Sequence, residues 1–134
     1  MRKLILLFSI LTLVLTSCSS DDSSSSQDLI VGTWTYYKAF TNGIEEVLSD
    51  CEKQETFVFS SNGVIDYTYY EEDGLGNCLL EESISGSWIN EGNNVYTLTF
   101  AGESSSETLT FENNTFYYEE TSGTDVYKEV YIKN

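Results

Sequence analysis

From Ile30 to Lys133 no stretch sustains a helical period. Short runs of alternating, aromatic or β-branched residues recur instead, separated by turn residues, and this pattern confines the chain to an all-β fold. Eight runs are legible: Ile30–Phe40, Gln54–Ser60, Val64–Tyr70, Ser83–Asn90, Val95–Ala101, Glu107–Phe111, Thr115–Thr121 and Val126–Lys133. Thr, Tyr, Phe and Val dominate them, as suits a pleated, half-buried surface. The chain contains no proline to interrupt a strand.

The links between runs differ in kind. "SNG" (61–63), "EGNN" (91–94) and "NN" (113–114) are tight hairpin turns, because Asn and Gly tolerate positive φ. Thr41–Lys53, Glu71–Glu82 and Gly102–Ser106 are longer, and Gly123 makes the last link compact. In an up-and-down meander, successive links fall at opposite ends. The tight turns then share one end and the longer loops the other. Eight antiparallel strands with one buried face are expected to close into a barrel, since closure removes exposed edges. A two-sheet sandwich is the alternative, which strand count alone does not separate.

Before the strands lies a segment of another kind. Arg2 and Lys3 precede an apolar run, Leu4–Leu15, which is followed by small residues. The run is shorter than the ~20 residues a membrane-spanning helix needs. Residues 1–17 therefore read as a secretory signal, with a retained anchor helix as the alternative. Leu15-Thr16-Ser17-Cys18 resembles the lipobox of bacterial lipoproteins. That resemblance implies a lipid on Cys18, membrane attachment and an envelope location; an incidental cysteine beside an ordinary cleavage site is the alternative. Residues 18–29, rich in Ser and Asp, read as the lipidated cysteine and a flexible tether to a single domain at 30–134. "CSSDD" also resembles the short export signal of flavobacterial surface lipoproteins, which implies the outer membrane and exposure at the cell surface.

Charge and composition exclude several functions. All 22 acidic residues follow the signal, where only Lys38, Lys53, Lys128 and Lys133 are cationic, so the side-chain charge there is 4 − 22 = −18. Such a polyanion is not expected to bind nucleic acid. With no histidine in the chain, a serine has no imidazole base and a metal no imidazole ligand. Neither catalytic residues, a resident cofactor nor a metal site is expected. "EEDG" (71–74) lacks the spacing of an EF-hand loop. With Cys18 assigned to lipid, Cys51 and Cys78 remain. Both fall at the long-loop end of the meander, so a disulfide is feasible and an exported compartment favours it; two free buried thiols are the alternative.

"GTW" (32–34) recurs as "GSW" (86–88). In a strand the glycine and tryptophan of each copy share a face, and Gly32 and Gly86 leave room for a large ring or another backbone. Trp34 and Trp88 both fall at the tight-turn end, where they are expected to plug a barrel. Gly-x-Trp at the start of an eight-stranded meander, together with the lipobox, Cys51, "SSNG" (60–63), Cys78 and the second Gly-x-Trp, resembles the lipocalin-like lipoproteins of the Bacteroidetes. The resemblance implies a lipocalin-like calyx, and the chain ends at Asn134 without the flanking helix of larger lipocalins. It implies a monomer that binds a small molecule, and not an enzyme.

Trp34, Phe57, Phe59, Trp88, Leu98, Phe100, Leu109 and Phe111 are the expected inner face, and either a packed core or a ligand cavity fits them. Tyr36, Tyr67, Tyr69, Tyr96 and Tyr118 are ambiguous, because aromatics occur on both faces. The long-loop end carries twelve acidic residues, Glu45, Glu46, Asp50 and Glu52 among them, while the tight turns carry only Glu91 and Glu112. A ligand entering there is expected to be apolar and non-anionic. The second expectation is a filled barrel that shows its acidic loops to an envelope or host protein.

Overall fold

The computed structural model describes residues 26–134; the signal segment, Cys18 and the tether up to residue 25 lie outside the described residues. Ten antiparallel strands form one sheet: β1 (Gly32–Thr41), β2 (Ile44–Glu45), β3 (Thr56–Phe59), β4 (Val64–Glu72), β5 (Cys78–Gly92), β6 (Val95–Phe100), β7 (Glu103–Thr108), β8 (Thr110–Glu112), β9 (Thr115–Ser122) and β10 (Asp125–Lys133). The strand order is β7-β6-β5-β4-β3-β1-β10-β9-β8, with β2 hydrogen-bonded to β1. The first and last of the expected runs do pair, Trp34 opposite Lys133 and Thr41 opposite Tyr127.

The strand count corrects the expected eight. Thr41 and Ile44 form a short hairpin that adds β2, and the run Glu107–Phe111 spans a break between β7 and β8. Up to Thr108 this stretch pairs with β6, and from Thr110 it pairs with β9. The two ends of the sheet thus meet in sequence at Leu109, but β7 and β9 are not bonded to each other, so the sheet is not closed by hydrogen bonds.

Two links expected to be long are short. Glu103–Ser106 belongs to β7, although Ser and Glu are weak strand formers. Cross-strand hydroxyl pairs, Thr97 with Ser106 and Thr99 with Ser104 at 2.7 Å each, support it. The link to it is a two-residue turn with Ala101 at φ 50°, a conformation that Asn adopts more readily than Ala. Cys78–Glu82 extends β5, leaving a five-residue loop, 73–77. There the Asp73 carboxylate accepts from Leu75 N, Asn77 N and Asn77 Nδ2 at 2.8–2.9 Å, which accounts for the acid in "EEDG".

The tight-turn end is solid. Ile30 and Trp34 are fully buried, and the indole N–H donates to Ile30 O at 2.6 Å. Trp34 meets Phe116 edge-on at 4.8 Å, and Lys133 Nζ sits 4.9 Å over its ring while donating to Leu29 O. Trp88 donates to Ser60 O at 3.0 Å and packs on Phe59. Asp28 ties the incoming chain here through Tyr96 Oη and Asn90 Nδ2. Gly86 is required by close approach: a Cβ there would lie 2.2 Å from Thr99 O and 2.7 Å from the Phe100 ring. The space it leaves serves β6, not its own tryptophan.

At the opposite end residues 46–55, including a single 3-10 turn at Glu52–Gln54, fold back over the sheet and bury Leu48 and Cys51. Cys51 and Cys78 are disulfide-bonded with Cα atoms 5.1 Å apart, closing a loop over a sequence separation of 27. A loop of this length stabilises by about 3.5 kcal/mol on the chain-entropy model, so the Cys51→Ala/Cys78→Ala variant is expected to lose about that much in urea unfolding. Ala101→Asn is expected to gain about 0.5–1 kcal/mol in the same measurement, by removing strain at positive φ.

Candidate ligand site

Above the plug the interior is hollow. A cavity of about 290 Å³ is walled by β3, β4, β5 and β6 on one side and by β7, Leu109 and β9 on the other. Phe57, Phe59, Leu98, Phe100 and Leu109 of the expected inner face line it. Trp34, Trp88 and Phe111 do not. They lie in or against the packed cluster beneath, Phe111 within 6.1 Å of Trp34 and 6.0 Å of Tyr96. The choice between packed core and cavity thus resolves by height along the sheet, with plug below and hollow above.

The wall also includes residues that alternation left ambiguous or missed. Tyr67, Tyr96 and Tyr118 face the cavity, as do Ile84 and Phe116. Register could have found Ile84, which stands opposite Tyr67 and two residues before Gly86. Ser105 and three acids, Glu82, Glu107 and Glu120, complete the lining. Neither Cys51 nor Cys78 is part of it. An opening between the disulfide-linked loops is therefore not where the cavity lies; its exposed lining residues are Glu82, Ser105 and Glu120. Tyr36 and Tyr69 are outside the lining.

Beside the cavity a buried polar group is assembled on Glu55, which is 8 % exposed. Tyr131 Oη donates to Glu55 Oε1 at 2.7 Å and lies 3.2 Å from Glu129 Oε2, to which Tyr118 Oη also donates. Tyr67 reaches the Glu55 carboxylate. Burial raises the Glu55 carboxyl to about 7; Glu129 pushes the same way, and the tyrosine hydroxyls oppose it. The phenols of Tyr131 and Tyr118 are raised by burial and by these carboxylates, so they act as donors. Each buried polar side-chain atom among the described residues has a partner.

A plugged end, a first strand opening on Gly-x-Trp and a hollow walled by antiparallel strands agree with a sequence comparison in which the model of the lipocalin-like domain matches residues 30–118. The chain belongs to the lipocalin-like domain family. Neither a curated protein nor a solved structure matches it. The lipocalin-like match spans β1 to the first half of β9 and ends before β10, so Glu129 and Tyr131 are contributed by the segment beyond it.

Glu55 gives this lipocalin-like domain a pH signature. With a folded-state value near 7 against about 4.5 unfolded, the folded chain holds the extra proton between those values. Stability is then expected to fall as pH rises from about 4.5 to 7, on the order of 2 kcal/mol from this group, and to level off above. Glu55→Gln keeps an acceptor for Tyr131 and is expected to flatten that slope and be more stable than the parent at pH 8, read from urea midpoints across pH.

Proposed function

We propose that this chain is a lipid-anchored envelope protein whose sheet curls into a lipocalin-like calyx that binds or carries a small, largely apolar, non-anionic molecule. The observation that carries the reading is the cavity: about 290 Å³, aromatic and aliphatic over most of its wall, and reaching exposed residues. That volume is at the lower end of small-molecule pockets, ~300–1,000 Å³. The eight-stranded barrel becomes, in this reading, a calyx with one unzipped side, where β7 and β9 face each other without a ladder. Carriage needs no catalyst, and a chain without histidine is poorly equipped for acyl or proton transfer.

Location follows from the segment preceding the described residues. Cys18 would carry the lipid, and the tether enters the fold at the plugged end, where Ile30 is buried under Trp34. The plugged end then faces the membrane and the hollow faces away. Cys18→Ala is expected to move the protein from the membrane fraction to the soluble one.

A surface role is the second reading. Val47 is 98 % and Leu75 88 % exposed on loops of the acidic end, where Ile44 of β2 and Leu79 and Leu80 of β5 are exposed as well. Apolar side chains ringed by acids suit a protein partner. The two readings separate by filling the hollow. Ile84→Trp is expected to abolish calorimetric binding of 1-octanol while the thermal midpoint stays within a few degrees. A native chain that binds no apolar probe would overturn carriage.

A further inference from the structure

The wall chemistry of the cavity is lopsided. Glu82, Glu107 and Glu120 line it, and no Lys or Arg does. Glu107 stands on β7 and Glu120 on β9, the two strands that flank the unpaired side of the sheet. Both acids line the same cavity, and burial raises the Glu107 carboxyl above its ordinary value, with the Glu120 charge acting in the same direction.

No cation of the fold relieves that repulsion. Each of the four lysines among the described residues is engaged elsewhere. Lys38 Nζ pairs with Glu45 at 3.1 Å and Lys53 Nζ with Asp50 at 3.4 Å. Lys128 Nζ lies 3.6 Å over the Tyr117 ring, on the opposite face of β9 from Tyr118. Lys133 belongs to the plug. Among the described residues, then, no counter-charge reaches the two acids. The rest of the wall suits what a cation from outside the chain would carry with it: Phe57, Phe100 and Tyr67 line it with aromatic rings that an alkyl or aromatic body can pack against.

We propose that the cavity is selective for an apolar amine: a molecule with an aliphatic or aromatic body seated among Phe57, Leu98 and Phe100 and a protonated amino group held between Glu107 and Glu120 at the unpaired side of the sheet. The proposal rests on the carriage reading and narrows it from non-anionic to cationic ligands. Binding supplies the charge that the fold omits and draws β7 and β9 together. An ammonium has three donors, enough to meet both carboxylates at once.

The test uses three probes of one chain length, 1-octylamine, 1-octanol and octanoate, titrated calorimetrically into the full chain near pH 7. Octylamine is expected to bind about tenfold tighter than octanol, the scale of one charge-assisted hydrogen bond, and octanoate weakest. In Glu107→Gln/Glu120→Gln the octylamine-to-octanol ratio is expected to fall close to one. Glu120→Gln alone, at an exposed position, should lower it part of the way, which keeps the test open if the double variant folds poorly. Equal affinity for octylamine and octanol would overturn amine selectivity and leave carriage standing. An amine preference that survives in a folded double variant would remove these two carboxylates from the site. If no probe binds the native chain, carriage fails and amine selectivity fails with it.

Discussion

The change of partner at Leu109 governs the rest of the molecule. Up to Thr108 the chain is bonded to β6, and from Thr110 it is bonded to β9. Leu109 N donates to Asn94 O at 2.9 Å, and its side chain is buried. On the tight-turn side of this point the interior is drawn together around Phe111, Phe116 and Trp34. On the other side β7 pairs with β6 along one edge only, and its second edge faces β9 without a ladder. A full barrel would have removed these edges. Glu107 and Glu120 act against zipping them, since like charges across a strand pair destabilise it.

Small side chains and hydroxyls shape what that separation encloses. "ESSSET" puts little volume on β7, and Ser105 is its only serine in the lining. Across the hollow the wall is built from rings in contact: Phe57 on Tyr67 at 4.7 Å, and Phe57 on Tyr131 at 5.1 Å. Tyr131 in turn stacks on Phe116 and Tyr36 at 5.1 Å each. Contacts of this kind add about 0.5–1.5 kcal/mol each beyond area burial, so the cavity is walled rigidly despite its open side. The choice of Tyr over Phe at 67, 118 and 131 has its reason in Glu55 and Glu129. Two carboxylates this close and this buried need donors, and the phenols provide them.

How much of this the sequence disclosed depended on whether a residue's reason is local. Asn113-Asn114 and Asn93-Asn94 announce their turns because positive φ is a property of those residues. Trp34 and Trp88 were placed at the correct end by strand order, and Cys51 and Cys78 were brought together by the same meander. The readings that failed depended on partners. "ESSS" (103–106) looked like a loop because its strand comes from Thr97 and Thr99 across the ladder. "CLLEE" looked like a loop because its pairing partner is the far end of β4. Phe111 looked like cavity wall because alternation gives the face of a residue but not its height, and height follows from the break at Leu109. Glu55 offered no signal: an acid two residues before Phe57 is one of many, and only its neighbours' hydroxyls distinguish it.

The 22 acids of this chain therefore have separable physical roles. Most are solvated, and their effect is self-repulsion and solubility. Asp73 is structural: its carboxylate organises a five-residue turn and is held below the ordinary range by the hydrogen bonds from Asn77 and the backbone. Asp28 fastens the incoming chain at the plug; burial works against its charge, and Asn90, Ile30 N and Tyr96 outweigh it. Glu55 is buried with its donors supplied by the fold, which makes it a cost to stability at neutral pH that the surrounding tyrosines limit. Glu107 is in a different position, half-buried, facing another carboxylate, and with no donor from the chain among the described hydrogen bonds. An acid in the first four settings is accounted for by the fold itself. In the amine reading proposed above, the partner of Glu107 arrives with the ligand, and this sets it apart from the other acids of the chain.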